Sequence, residues 1–384
     1  MYAARLLSMY RRNPSALSDP PPSGPNSGYL VILDEEAQTY CCFGSCEDNE
    51  ITDFPFPQNK NLTMYSSLGD SIIEPAMFLP VLNQPLSSNR YYVIKTTGRN
   101  QGKANTSSAE DDMNTSLCCI GIDDVKPKPL EPFNDYQQIE IIKRSSFHAK
   151  SIASDGIPPG LLRDKGGWRV YASTPYNYHL EQALGSNDSL RSKIPNFNFP
   201  MTNDRSESVV VGKWYCPFMF VKEGMKLKEQ MNMTVFYELT LVQRWEKIFT
   251  KENENNGENN VLVDVAIQTE VAKVVGKDAI WDENRLVDGV LWFKSVEDVG
   301  EETSVGLSLE VVKAMKWEQE RFGWIAGNGR QVRVTKVEEF DGINKWKKFS
   351  CYVLVESFVL KRMNRRLVLT YDYKHSHQIR SKWD

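Results

Sequence analysis

The sequence predicts a mainly β protein with few helices: an irregular N-terminal β lobe followed by a C-terminal lobe of long antiparallel strands. Three observations predict it. Apolar residues alternate with polar ones over long stretches, most clearly in "MNMTVFYELTLVQRWEKIF", residues 231–249, and a period of two marks a strand with one wet face. Segments rich in Val, Ile, Tyr and Phe are separated by Gly-, Pro- and Asn-rich stretches, the signature of strands and turns. Helix-like patterns are few, "NYHLEQALGS" (177–186) being one of them.

The elements follow in order. "NPSALSDPPPSGPNSG", residues 13–28, is too rich in Pro, Ser and Gly for a helix or central strand, so residues 1–28 read as an extended lead-in. "GYLVILDEEAQTYCCFG" reads as two strands about an acidic turn at Asp34–Glu36. "AMFLPVL", "RYYVIK", "QQIEIIKR" and "GWRVYAST" are strand-like, while "GRNQGKANTSSAEDDMNTS" (98–116) is polar and reads as a mobile loop. "VKPKPLEP" (125–132) reads as a linker or a surface crossing. "PNFNFPMTND" (195–204) is the best boundary, giving an N-terminal lobe over 29–200 and a C-terminal lobe over 201–384.

In the C-terminal lobe, "VLVDVAIQTEVAKVV" (261–275) repeats the alternation of 231–249, with the polar "TKENENNGENN" between them. Together they read as one long hairpin over 231–275. Further strands are expected at "SVVVGKWYCPFMFVKE", "GVLWFKS", "QVRVTKVEEF", "WKKFSCYVLVESFVLKR" and "RLVLTYDYKH". Residues 304–321 suit either a strand or a helix.

Composition narrows the function. The chain has 384 residues, 41% hydrophobic and 25% charged, with a net charge of −4. There is no basic excess for a large phosphate-binding surface, so nucleic acid is not an expected partner. No stretch reaches the roughly 20 apolar residues of a membrane span, and the start "MYAARLLSMYRRNPSALS" does not read as a signal peptide. The expected compartment is the cytoplasm, with the nucleus also open. Seven cysteines, an odd number, argue against a disulfide framework there.

The chemistry-bearing residues are sparse. In "TYCCFGSCED", Cys41 and Cys42 are adjacent and would face opposite sides of a strand, with Cys46 four residues on; Cys118 and Cys119 form a second pair. Zinc takes about four ligands, usually in spaced pairs, and no histidine lies near these cysteines. In "KHSHQIRSKW", His375 and His377 would share one face of a strand, without an evident third ligand. These seven residues are the metal candidates that spacing permits. The expectation is nevertheless no metal and no cofactor, with the cysteines as reduced structural thiols. "TGRNQGKAN" is not a P-loop: Gly98 and Gly102 are one residue too close, and Ala104 stands where the magnesium-binding hydroxyl belongs. Arg99 and Lys103 could still touch an anion. There is no G-x-S-x-G, H-E-x-x-H or G-x-G-x-x-G, so no catalytic residue is assigned.

The blocks "LSMYRRNPSALSDPPPSGPNSGYLVI", "LPVLNQPLSSNRYYVI", "VKPKPLEPFNDYQQIEII", "VFYELTLVQRWEKIF", "SVGLSLEVVKAMKWE" and "KKFSCYVLVESFVLKRM" resemble a plant family of unknown function, DUF1262. The resemblance implies a plant source and carries no established activity or catalytic residues. Some members bear names invoking an insecticidal crystal-toxin domain, which implies a toxin-like, defence-related role. The expected function is a non-enzymatic β-rich binding protein that meets a membrane in a pore-forming-like manner through the 231–275 hairpin. The alternative is a soluble protein-interaction module or scaffold. A third reading is an enzyme with a carboxylate or thiol site, Cys42 or Cys46 being the nucleophile. The partner would be a protein or a membrane surface.

Overall fold

The computed structural model describes residues 1–33, 39–41, 46–66, 72–116, 119–163, 165–253, 259–296, 303–342 and 345–384. The protein is mainly β, as the alternation predicts. In chain order the first strands are β1 (Tyr2–Leu6), β2 (Gly28–Ile32), β3 (Thr39–Cys41), β4 (Cys46–Asp48), β5 (Glu50–Ile51), β6 (Asn61–Ser66) and β7 (Ile72–Pro80). Next come β8 (Arg90–Lys95), β9 (Met113–Ser116), β10 (Cys119–Ile122), β11 (Gln138–Lys143), β12 (Phe147–Ser151) and β13 (Trp168–Ser173). The later strands are β14 (Gly185–Ser186), β15 (Val209–Pro217), β16 (Val221–Lys222), β17 (Phe236–Glu252), β18 (Asn260–Gln268) and β19 (Glu270–Val274). The last are β20 (Lys277–Ile280), β21 (Val290–Ser295), β22 (Ser304–Ser308), β23 (Gln331–Glu339), β24 (Lys348–Arg362) and β25 (Leu367–Trp383). The helices are α1 (Leu7–Arg12), α2 (Asp188–Arg191), α3 (Leu227–Met233) and α4 (Leu309–Glu320). None in the described residues is long and apolar enough to cross a membrane.

The chain forms two compact units. One comprises Met1–Leu184 and Tyr215–Tyr237; the other comprises Gly185–Trp214 and Glu238–Asp384. The first unit is built on a sheet of order β12-β11-β8-β7-β6-β13-β5. Because Phe147 of β12 also bridges Trp168 of β13, six of these strands close into a ring, which removes the exposed edges that open sheets must protect. Inside it pack Phe56, Phe78, Tyr91, Phe147 and Trp168, all at least 96% buried. The Gln58 amide ties neighbouring backbone together: its Oε1 accepts from Val31 N at 2.6 Å and its Nε2 donates to Phe78 O at 2.9 Å.

Two expectations for this unit are corrected. Within the first 28 residues, expected to be an extended lead-in, lie β1, α1 and a 3₁₀ turn over Pro14–Ser18. Tyr2, Ala3 and Ala4 are wholly buried and β1 pairs in parallel with β2 over five residues, so burial of a short, small-residue strand overrides its flanking prolines. The polar stretch after Gly98 is an interior segment. Asn105, Thr106, Ser107 and Ser108 are buried; Asn105 N and Nδ2 donate to Val93 O at 2.8 and 3.1 Å, and Ser108 Oγ donates to Asp123 O at 2.9 Å. Short polar side chains stand in for ladder partners there, a role that composition cannot distinguish from solvation. Residues 125–132 are docked in turn: Lys128 N donates to Ala104 O at 3.1 Å.

The second unit is organised on strands in the order β22-β21-β20-β19-β25-β24-β17-β15. β17, β24 and β25 run for 17, 15 and 17 residues, about three times the common strand length of roughly 5–6. β24 and β25 pair antiparallel from Phe349↔Trp383 to Lys361↔Leu367. Odd-numbered apolar positions of β17 (Leu239, Leu241 and Trp245) are wholly buried, as the alternation predicts.

The predicted 231–275 hairpin does not form. Met231–Met233 end α3, β17 lies between β24 and β15, and β18 pairs with β23 over all nine of its residues. Period-two patterning specifies which residues share a face and leaves the partner strand open. Residues 177–186 are extended instead of helical: Tyr178, Leu180 and Ala183 are buried, and Ala183 bridges Ala4. Residues 304–321 divide into both candidates, a strand to Ser308 and a helix from Leu309. The expected acidic turn after β2 lies largely outside the described residues.

Candidate functional site

β18 and β23 form a two-stranded ribbon of their own. Its register runs antiparallel from Asn260↔Glu339 to Gln268↔Gln331. Along β18 the exposure alternates at every residue: Val261, Val263 and Ile267 are buried and Val265 half-buried, while Asn260, Leu262, Asp264, Ala266 and Gln268 are exposed. On the inner side, Val332 and Val334 of β23 join them over Phe349, Cys351, Val353 and Val355 of β24. Each fully buried valine contributes roughly 1.5–3 kcal/mol, so the apolar face is what holds the ribbon down. Its outer face is mixed, with Asp264, Arg333 and Thr335 beside exposed Leu262 and Val337. Arg333 grips the Asp264 carboxylate from two nitrogens, Nε to Oδ1 at 2.6 Å and Nη2 to Oδ2 at 2.5 Å, and holds that carboxyl below its ordinary range. At about 3.4 Å per residue, nine paired residues span roughly 30 Å.

Beside the ribbon, the same side of the sheet turns polar. Arg244 (β17) donates through Nη1 to Ser357 Oγ (β24) and through Nη2 to Asp372 Oδ2 (β25) at 2.7 Å. Lys374 Nζ lies 2.7 Å from Glu246 Oε1. These groups line an open cavity of about 550 Å³. Lys374, Arg244 and their hydrogen bonds hold the Glu246 carboxyl below its ordinary range, outweighing the burial that would raise it.

The opposite side of the long strands carries a buried ionic cluster. Arg191 sits at the end of α2, whose first turn is capped by Asn187 Oδ1 accepting from Leu190 N at 3.0 Å. Its guanidinium donates from Nε to Glu356 Oε1 at 2.8 Å, from Nη2 to Glu356 Oε2, and from Nη1 to Glu318 Oε2 at 3.1 Å. Gln243 Nε2 donates to Glu356 Oε1 at 2.8 Å. Arg321 links the cluster outward, with Nε to Glu318 Oε2 at 2.9 Å and Nη2 to Asp188 Oδ1 at 2.7 Å. All three central groups are at least 99% buried, which costs several kcal/mol per ion unless geometry compensates. Burial pushes the Glu318 carboxyl above its ordinary value despite both arginines.

His375, a sequence candidate, belongs to this cluster. Its ring is wholly buried, with Nε2 2.9 Å from Gln319 Oε1 and 3.8 Å from Glu356 Oε2. Burial lowers its pKa to about 4, so at neutral pH it is uncharged. The other candidate, His377, is more exposed, and its ring lies edge-on to His375 with centroids 5.4 Å apart. The two rings do meet, but among the described residues no group of three or more His, Cys, Asp or Glu is placed to hold a metal ion.

The cysteine candidates are placed less fully. Cys42 and Cys118 lie outside the described residues. Cys41 and Cys46 are register partners across β3 and β4, and Cys119 pairs with Ser116. Cys216 and Cys351 are free and buried; burial pushes the Cys216 thiol up to about 12, which keeps it protonated and unreactive. Phe197 and Phe199 pack on Tyr352, with Lys382 Nζ 3.6 Å from the Phe199 centroid. Sequence reasoning missed Arg191, Glu318 and Glu356. One signal was available: Glu356 is the lone charge in "FSCYVLVESFVL".

What these features define is a mainly β protein of long strands bearing a separate amphipathic ribbon. Residues 23–120 match the model of a family described as a protein of unknown function, DUF1262, which supports the resemblance found in the sequence. No curated protein matches the chain. Among solved structures, the crystal structure of Cry35Ab1 is similar with a TM-score of 0.46 and 12% identity, covering 85% of this chain and 90% of that one.

Proposed function

We propose that the chain is a non-enzymatic β-rich protein that acts at a membrane surface, and that the β18–β23 ribbon is the element that meets the lipid. The β18–β23 pairing carries the proposal: nine paired residues whose one side holds Val261, Val263, Val265, Ile267, Val332 and Val334 with Lys336 and Glu338 at one end, and whose other side holds Asp264, Arg333 and Thr335 with exposed Leu262 and Val337. A membrane-crossing strand needs about 9–11 residues with lipid-facing and water-facing positions alternating. The ribbon has that length, and its strand β18 has that pattern. It pairs with no other strand among the described residues, so it can leave the sheet without breaking another ladder. The long strands β17, β24 and β25 are the scaffold in this account, since β24 is buried on both sides over ten consecutive residues. A defence role belongs to the same proposal and rests on the family resemblance.

The test is flotation of the purified, reduced protein with liposomes of plant lipid composition, with release of an entrapped dye as a second readout. Co-flotation and leakage are expected, and Val263→Lys is expected to reduce both. A native protein that stays at the bottom of the gradient and releases no dye, at any pH between 4 and 8, overturns the proposal and leaves the soluble interaction module.

A further inference from the structure

We propose that the Arg191–Glu356–Gln319–His375 cluster is an acid-sensitive latch, which at neutral pH holds α2 and α4 against the long-strand sheet and in mild acid lets them go. The cluster joins three layers of one unit. Arg191 comes from α2, Gln319 and Glu318 from α4, and Gln243, Glu356 and His375 from β17, β24 and β25. Among the described residues, α4 reaches the cluster through Gln319 to His375 and through Glu318 to Arg191, and Lys316 Nζ lies 3.9 Å from Glu270 Oε1 outside it. The buried face of α4 includes Val311, Val312 and Met315, all at least 98% buried.

Adding a proton to His375 strains the arrangement in two ways. The imidazolium needs two acceptors, yet Nδ1 has no hydrogen-bond partner and Nε2 has only Gln319 Oε1 within reach. A buried N–H left without an acceptor costs about 1–3 kcal/mol. The new cation also faces Arg191 across the one carboxylate they would share. The charged and titratable groups facing the ring are Glu356 from β24, His377 from β25 and Arg191 from α2, with Glu318 and Arg321 behind Arg191. Glu356 and Glu318 are both already engaged by Arg191.

The direction follows from linkage. His375 binds its proton more weakly in the latched state, at about 4, than a free histidine does at 6.5, so falling pH favours release across that interval. His377, also lowered by burial, acts in the same direction. Glu318 opposes them, because burial raises its carboxyl and protonation relieves that cost. For His375 alone, the equilibrium shifts toward release by roughly 20-fold at pH 5 relative to pH 7.

Hydrogen exchange on the full chain at pH 7 and pH 5, corrected for the intrinsic rate at each pH, tests the latch without any lipid. The result is therefore independent of whether the protein binds membranes. Amides of residues 309–320 are expected to lose roughly 20-fold protection at pH 5, while β7 and β8 keep theirs. His375→Gln is expected to show α4 protection that changes far less with pH, leaving only the opposed contributions of His377 and Glu318. Equal protection of α4 in the native protein at both pH values overturns the proposal, as does a pH response in His375→Gln as large as the native one. If that variant does not fold, the native His375 ring titration by NMR decides. A midpoint below 5 that tracks the loss of α4 protection supports the latch, and a midpoint near 6.5 overturns it.

Discussion

The closed sheet of the first unit and the long-strand sheet of the second solve the burial problem differently. Inside the ring, Phe56, Phe78, Tyr91, Phe147 and Trp168 meet ring to ring, with centroids 5.0–6.3 Å apart. Its buried polar atoms are mostly amides and hydroxyls bonded to backbone. The long-strand sheet has aromatic clusters too, but it buries Arg191, Glu318 and Glu356 on one side and Arg244 and Asp372 on the other. An aromatic interior depends little on pH. An ionic interior depends on every proton that its members gain or lose, and ion pairs that are expensive to bury suit a region that must respond. The first unit thus has the chemistry of a fixed body and the second that of a body that can change.

Substitutions sharpen or break that contrast. Trp168→Ala should cost about 3–5 kcal/mol in urea unfolding, with the same loss at pH 5 and pH 7; a loss that varies with pH would remove the distinction. Glu356→Ala should cost a similar 3–5 kcal/mol or so, because it leaves Arg191 buried with one partner fewer, and this loss should persist or grow in acid, because the carboxylate that favours a proton on His375 is gone. In the native protein, His375 alone should withdraw about 3 kcal/mol of stability between pH 7 and pH 4, since its folded pKa lies below its ordinary value. His375→Gln should flatten that slope, and an unchanged slope would show that other groups control it. Val263→Ala should cost about 2 kcal/mol by removing two buried methyl groups, measured as a lower thermal midpoint. Arg333→Ala, on the exposed face of the ribbon, should leave the urea midpoint unchanged, as exposed ion pairs contribute little.

Much of the fold was legible in the residues. The alternation in 236–245 and 261–268 marks strands and their buried sides, because a pleated backbone points successive side chains to opposite faces. Lone patterns misled where sequence spacing stood in for spatial neighbourhood. β18 follows β17 in the chain, yet its partner is β23, more than 60 residues further on. The candidate site was less legible. His375 and His377 were found by spacing, but Arg191 lies 165 residues from Glu356, and no local pattern links them.

The sequence by itself determined the β class, the faces of the long strands and the lack of a familiar catalytic motif, since each depends on local periodicity or residue type. Only the tertiary structure decided that six strands of the first unit close into a ring, that β18 and β23 form a separate ribbon, and that a histidine near the C-terminus is buried beside Arg191. Those outcomes depend on which distant segments lower the free energy by packing together, and chain order carries no direct record of that choice.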